Sequence, residues 1–156
     1  MSVTYQPRGK YFEEFEPGMT TITAGRTISE ADIVAFAGLS GDYNQIHVDA
    51  EYSAGTLYGQ RIAHGLLVTA IISGLAAQTG IMEGTVIAFR EMNEWKFIKP
   101  VFIGDTVHAE MTVRETKEIR RLNGGSVMLD VEGKNQRGDV VMKGVWTVLF
   151  LSRPSA

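Results

Sequence analysis

The stretch SGDYNQIHVDAEYSAGTLYGQRIAHG, from Ser40 to Gly65, lies between two apolar segments and carries Asp42, Asn44, His47, Asp49, Glu51, Arg61 and His64. Asp42 and His47 are the types that move protons. The reference pKa is about 3.9 for an aspartate and about 6.5 for a histidine, so near neutral pH one can hold a proton while the other lacks it. On a helix their separation would put them about 140° apart, and on a strand it would send them to opposite faces. Only a segment that folds back on itself lets them face one small molecule, and Gly41 and Asn44 are loop residues. The same residues also suit a structural reading, in which Asp42 caps a turn and His47 is a satisfied structural histidine.

Ala63-His64-Gly65 stands directly before the second apolar segment. Backbone N–H groups in the first turn of a helix lack internal partners, and the helix dipole favours negative charge there. Gly65 has no side chain to block close approach. That combination suits a developing oxyanion on a carbonyl. It equally suits a glycine needed only for a tight turn into the helix.

Other chemistry finds less support. The histidines, His47, His64 and His108, show no His-x-x-x-His or HExxH spacing, so no metal site is expected. There is no GxSxG elbow, P-loop or GxGxxG. Ser53 and Ser73 have no base at useful spacing. His108 reads as a polar-face strand residue, and Phe89, Trp95, Phe97 and Trp146 read as core. Arg61, Arg90, Arg120 and Arg121 read as solvated surface.

The elements that must position Asp42, His47 and Gly65 follow from periodicity. Ile28 to Leu39 reads as a short helix with Ser29 as N-cap, Asp32 completing a capping box, and Ile28 and Ile33 as a hydrophobic staple. Leu66 to Gln78 is apolar in nearly every direction, as in a helix buried on all sides, and spans roughly 20 Å. After Gly80 the period changes to two. Val107, Ala109, Met111 and Val113 alternate with polar residues, as do Val127, Leu129 and Val131, and Val140 to Leu151 is a β-branched and aromatic run. Thr85 to Phe89 and Glu94 to Ile98 read as two more strands. The short turns between strands predict an antiparallel sheet of about five strands. The economical α+β arrangement wraps that sheet around the apolar helix, and a second subunit is expected to help cover it.

The whole chain bounds the class. Its 156 residues, 44% of them hydrophobic, suffice for one domain with a proper core. Residues 1–26 read as an arm packing on the domain, anchored by Tyr11, Phe12 and Phe15, and residues 27–156 as the domain itself. With a net charge of −3 there is no basic surplus for nucleic acid. The absence of cysteine excludes a disulfide framework or a thiolate nucleophile. The longest apolar stretch, Leu66 to Ala77, is too short to cross a bilayer, and the N-terminus has no signal-peptide core. A soluble cytoplasmic protein without a membrane partner is expected.

Ser40-Gly41-Asp42-Tyr43-Asn44-Gln45-Ile46-His47, followed by Tyr58-Gly59-Gln60-Arg61-Ile62-Ala63-His64-Gly65-Leu66, resembles the hydratase motif of the MaoC-like dehydratases, which include the (R)-specific enoyl-CoA hydratases. Lys99-Pro100-Val101-Phe102-Ile103-Gly104-Asp105-Thr106 resembles a segment that family places between two strands. The similarity covers roughly Thr27 to Phe150. One departure is Gln45, where the family commonly has proline, which frees φ and restores an N–H.

The resemblance implies a hot-dog fold, a long helix wrapped by an antiparallel sheet, forming a homodimer or a larger dimer-based assembly. It maps the acid–base pair onto Asp42 and His47, the oxyanion-binding N–H onto Gly65, and the loop-shaping asparagine onto Asn44. His64 is a further residue for substrate binding or loop shaping. The implied reaction is reversible hydration of a trans-2-enoyl-CoA thioester to the (R)-3-hydroxyacyl-CoA, with Asp42 as base and no cofactor. Alternatives are a 3-hydroxyacyl-[acyl-carrier-protein] dehydratase, a hydratase of a branched or dicarboxylic acyl-CoA, a thioesterase, or a non-catalytic acyl-CoA-binding partner subunit.

Overall fold

The computed structural model describes residues 5–154; the outermost residues of the chain, among them the start of the arm, lie outside them. A 3-10 turn over Phe12–Glu14 is followed by two short strands, β1 (Thr20–Ile22) and β2 (Arg26–Thr27). The helices α1 (Glu30–Ser40), α2 (Gln45–Val48), α3 (Ala50–Ala54) and α4 (Gly65–Gln78) follow. The long strands β3 (Val86–Phe97), β4 (Thr106–Ile119), β5 (Gly124–Lys134) and β6 (Val140–Leu151) complete the fold. The sheet is antiparallel throughout, in the order β1-β4-β5-β6-β3, with β2 also pairing β4.

The alternating strands fold as their period dictates. On β4, Val107, Ala109, Met111 and Val113 are buried, and on β5 so are Val127, Leu129 and Val131. Register pairs Met111 with Val131, Val113 with Leu129, and Leu129 with Trp146, so one continuous apolar face forms. Helix α4 lies on that face through Leu67, Val68, Ile71, Ile72, Leu75 and Ala76. Each such side chain, fully buried, contributes about 1.5–3 kcal/mol. The arm joins the same core: Phe15 is buried, with its ring centroid 4.4 Å from that of Phe150.

Helix α1 starts as its sequence predicts. Ser29 Oγ accepts the Asp32 N–H at 3.3 Å, and Asp32 Oδ2 accepts the Ser29 N–H at 2.8 Å. Ile28 and Ile33, the staple pair, are both fully buried.

Three expectations change. Thr85–Phe89 and Glu94–Ile98 are not separate strands, because β3 runs through the polar residues between them. Register shifts at Val86/Ala88, Phe89/Glu91 and Asn93/Lys96 absorb the irregular positions, and such bulges let a strand continue past a break in its pattern. Phe89 and Phe97 are not core: β3 is the sheet edge, and both rings are exposed. Finally, α4 is not covered on every side within one chain. Leu66, Ala70, Ser73, Gly74 and Ala77 form an exposed stripe, with Leu66 64% accessible. One sheet can cover only the half of a helix that faces it. Among the described residues, no helix is long and apolar enough to cross a membrane.

Candidate active site

The segment between α1 and α4 folds back on itself through a series of local caps. Gly41 ends α1 in the left-handed conformation at φ 79°. Ser40 Oγ accepts the Asp42 N–H at 3.1 Å, and Asp42 Oδ1 accepts the Asn44 N–H at 3.2 Å. Asn44 Oδ1 then accepts the Ile46 N–H at 3.3 Å as the cap of α2. Asparagine and aspartate do this because their short side chains reach the backbone two residues on. So Asp42 stays in the loop while His47 rides the single turn of α2, and the reversal brings the two together. Asn44 shapes the loop by this cap.

The far end of the segment is pinned to the sheet side. The Ala63 N–H donates to the Val101 carbonyl at 2.7 Å, and the Ile62 N–H to the Ile46 carbonyl at 3.1 Å. Ile62 returns the contact: its carbonyl lies 2.7 Å from His47 Nδ1. A carbonyl only accepts, so Nδ1 carries the proton and the Nε2 lone pair of neutral His47 is left free. Likewise the Asp42 carbonyl lies 3.0 Å from His64 Nε2, which therefore carries that ring's proton. His64 Nδ1 is buried and has no partner among the described residues.

His47 and His64 stack with ring centroids 3.9 Å apart, and Phe36 closes the other side of His64 at 5.0 Å. Burial pushes the His47 pKa below its usual value. The His64 ring adds to that shift, while the Ile62 carbonyl and the Asp42 carboxylate oppose it. The neutral imidazole is thus the favoured form around neutral pH.

A carboxylate oxygen of Asp42 and one ring nitrogen from each of His47 and His64 all lie within 4.8 Å of one another. Two hydrogen bonds of about 2.8 Å from one water, at a tetrahedral angle, span about 4.6 Å. Asp42 and His47 are therefore close enough for one water to bridge them. Three potential metal ligands also meet here, which spacing along the chain did not indicate. The carbonyl bond on each imidazole fixes which of its nitrogens is left over.

These residues open on a cavity of about 360 Å³. Asp42, His47, His64 and Gly65 form its polar end, and Leu66, Val68, Phe97, Ile98, Val101 and Met142 its apolar wall, with Tyr58 and Lys99 also lining it. Gly65 is the first residue of α4, and its N–H has no acceptor among the described residues. A Cβ at Gly65 would stand 2.6 Å from Phe97 Cε1, so the absent side chain is what admits the Phe97 ring.

Sequence reasoning missed Phe97, read as core, and Met142, which lies in the run read only as strand. Their positions in the β-period signalled a face but not what that face meets. Ser53 donates to the Gln45 carbonyl at 3.2 Å, and Arg61 pairs with Glu30 at 2.9 Å, so neither is free for chemistry in this site. His108 sits on the outer strand face, 3.6 Å from Glu110.

An antiparallel sheet wrapped on one helix, with a carboxylate–imidazole pair beside that helix's first N–H, defines a hot-dog domain with a candidate acid–base site. The family model described as the MaoC like domain matches residues 13–135, and the chain belongs to that family. It is 41% identical over 108 residues to Protein MaoC of Klebsiella aerogenes, covering 69% of this chain but only 32% of that protein. It is 36% identical over 143 residues to an (R)-specific enoyl-CoA hydratase of Rhodospirillum rubrum, covering 92% of this chain and 93% of that one. Among solved structures, an unliganded R-hydratase from Pseudomonas aeruginosa superposes with a TM-score of 0.78 at 31% identity, covering 92% of this chain and 86% of that one. A Mycobacterium tuberculosis protein described as having a double hot-dog fold matches with a TM-score of 0.81 at 18% identity, covering 97% of this chain and 47% of that one, and shares the fold alone.

Proposed function

We propose that this hydro-lyase adds water reversibly across the double bond of a trans-2-enoyl-CoA thioester, giving the (R)-3-hydroxyacyl-CoA. The observation that carries the reading is the span between the Asp42 carboxylate and the His47 ring, which fits one water beside the unpartnered Gly65 N–H. The (R)-specific hydratase matched over nearly its whole length supports the substrate and the product configuration.

In this mechanism the water donates one O–H to Asp42 and the other to His47 Nε2, which leaves an oxygen lone pair aimed at C3. Asp42 takes a proton as the oxygen attacks. Charge moves to the thioester oxygen, where the Gly65 N–H stabilises it; losing a comparable preorganised donor costs about 2.7–4 kcal/mol. With His47 neutral and Asp42 acting as the base, the pair starts with no proton to give. The proton delivered to C2 is therefore the one taken from the water, returned by the pair. Asn44 and His64 hold the loop that carries Asp42. The apolar cavity wall takes the acyl chain.

The reaction is checked by following the ultraviolet absorbance of crotonyl-CoA with the purified protein, beside Asp42→Asn and a free-thiol assay. Loss of enoyl absorbance without thiol release, absent in the variant, is the expected result. Thiol release would move the protein to thioester hydrolysis, and binding without turnover would make it an acyl-CoA-binding subunit.

The working unit in this reading is a homodimer or a dimer-based larger assembly. The long exposed edge β3, with Val86, Ile87, Phe89, Met92 and Phe97 open to solvent, and the bare stripe of α4 support it. An exposed apolar edge strand invites pairing. Sedimentation at micromolar concentration is expected to give at least twice the chain mass of 17.1 kDa, and a monomer would refute it.

A further inference from the structure

The first turn of α4 is tied to the sheet edge by a chain of hydrogen bonds that the proposed chemistry does not itself use. The Trp95 indole N–H of β3 donates to Thr69 Oγ1 at 3.1 Å. Thr69 Oγ1 donates in turn to the Gly65 carbonyl at 2.9 Å. Its one proton has a competing acceptor in Met142 Sδ at 3.7 Å, and the nearer carbonyl oxygen is the stronger acceptor. Two residues along β3 on the same face, the Phe97 ring packs on Gly65. The seat of Trp95 is specific as well. Its ring stacks on Trp146 at 5.8 Å, and a Cβ at Gly144 of β6 would stand 2.6 Å from Trp95 Cε3.

We propose that Trp95, acting through the Thr69 hydroxyl, is a positioning residue that sets the angle at which the first turn of α4 presents its free N–H groups to the substrate carbonyl. A threonine hydroxyl bonded four residues back normally only shadows the helix ladder and bends it slightly. Here the same oxygen also accepts from a rigid ring on another element, so the bend is fixed from outside the helix. The chain indole N–H to hydroxyl to carbonyl is polarised in one direction, and each bond strengthens the next. An oxyanion donor works only if it is aimed before the charge develops, and sub-ångström errors of aim are costly. The inference rests on the role of Gly65 proposed above.

Four variants and two readouts test it. Thr69→Val removes the relay at nearly constant volume, Thr69→Ser keeps the hydroxyl, Trp95→Phe keeps a ring over Trp146 without the N–H, and Thr69→Val/Trp95→Phe combines the losses. Thr69→Val and Trp95→Phe should each lower kcat by roughly tenfold to a hundredfold while KM stays within about twofold, and Thr69→Ser should stay close to the wild type. The double variant should be no worse than Thr69→Val alone, because coupled residues are not additive. The second readout is independent of turnover: exchange of the Val68 amide, which donates to the His64 carbonyl at 3.1 Å, and of the amide of residue 69, followed by NMR, should speed up in Thr69→Val and not in Thr69→Ser.

If folded Thr69→Val keeps the wild-type kcat and amide exchange, if Thr69→Ser is damaged equally, or if the two single losses add, the relay is refuted. If the wild type turns over no enoyl thioester, the proposed reaction fails instead, and amide exchange still decides whether the relay holds the turn.

Discussion

The imidazoles of His47 and His64 lie face to face, with centroids 3.9 Å apart and planes 29° from parallel. The two rings come from different elements, α2 and the cap of α4. Each donates to the backbone of the other's side of the site: His47 to Ile62, two residues before His64, and His64 to Asp42, five before His47. The stack and these two hydrogen bonds thus join the loop of Asp42 to the start of the central helix. Two charged imidazoles at that distance would repel, which favours a neutral His47.

Asp42→Asn keeps the size of the side chain and its acceptor for the Asn44 N–H while removing the base. The variant should fold with an unchanged melting temperature and lose about 10²–10⁴-fold in kcat. A folded variant with wild-type turnover would remove Asp42 from the mechanism.

His64 separates into a ring and a donor. His64→Phe keeps the stack on His47 and loses the hydrogen bond to the Asp42 carbonyl, whereas His64→Gln keeps a donor and loses the ring. If loop placement is its role, His64→Gln should retain more kcat than His64→Phe, with a gap of about tenfold given the cost of misplacing a catalytic group. The opposite order in steady-state kinetics would make His64 a packing residue.

Gly65→Ala puts a methyl where Phe97 Cε1 now stands, 2.6 Å from the new Cβ. The exposed Phe97 ring must move, so kcat/KM should fall with only a small loss of stability. Phe97→Ala in the same chain should recover part of the loss, since it empties the space the methyl needs. Equal kinetics for Gly65→Ala and Gly65→Ala/Phe97→Ala would show that the methyl acts on the N–H and not through the ring.

The lowered pKa of His47 has a definite sign in stability. The unfolded chain binds a proton at this histidine near pH 6.5, and the folded chain only at a lower pH. Its contribution is therefore fully present above about pH 6.5 and is lost as the pH falls through the folded value. Melting temperature should drop across that window in the wild type and drop less in His47→Gln. The acid limb of kcat/KM should lie below about pH 6.5 for the same reason.

Much of the frame was legible in the chain because local rules and tertiary packing agree there. The capping box of Ser29 and Asp32, the staple of Ile28 and Ile33, and the alternation along β4 and β5 each appear where the pattern puts them. The motif from Asp42 to His47 was legible by residue type, and the requirement for a fold-back by spacing. The continuity of β3 was hidden, because bulges break a period without breaking a strand. The exposure of Phe89 and Phe97 was hidden as well, since an aromatic residue in a strand reads the same at an edge as in a core.

By itself the sequence determined which residue types could move a proton, which helix they precede and which strands are apolar on one face. Those follow from side-chain chemistry and from periods of 3.6 and two. The tertiary structure decided everything that runs through backbone atoms or distant contacts. The Ile62 carbonyl selects the tautomer of His47, the Asp42 carbonyl selects that of His64, and Phe97 and Trp95 reach the start of α4 from the far edge of the sheet. A carbonyl has no letter in the sequence, and a contact between α4 and β3 depends on how the sheet wraps the helix, which no local pattern specifies.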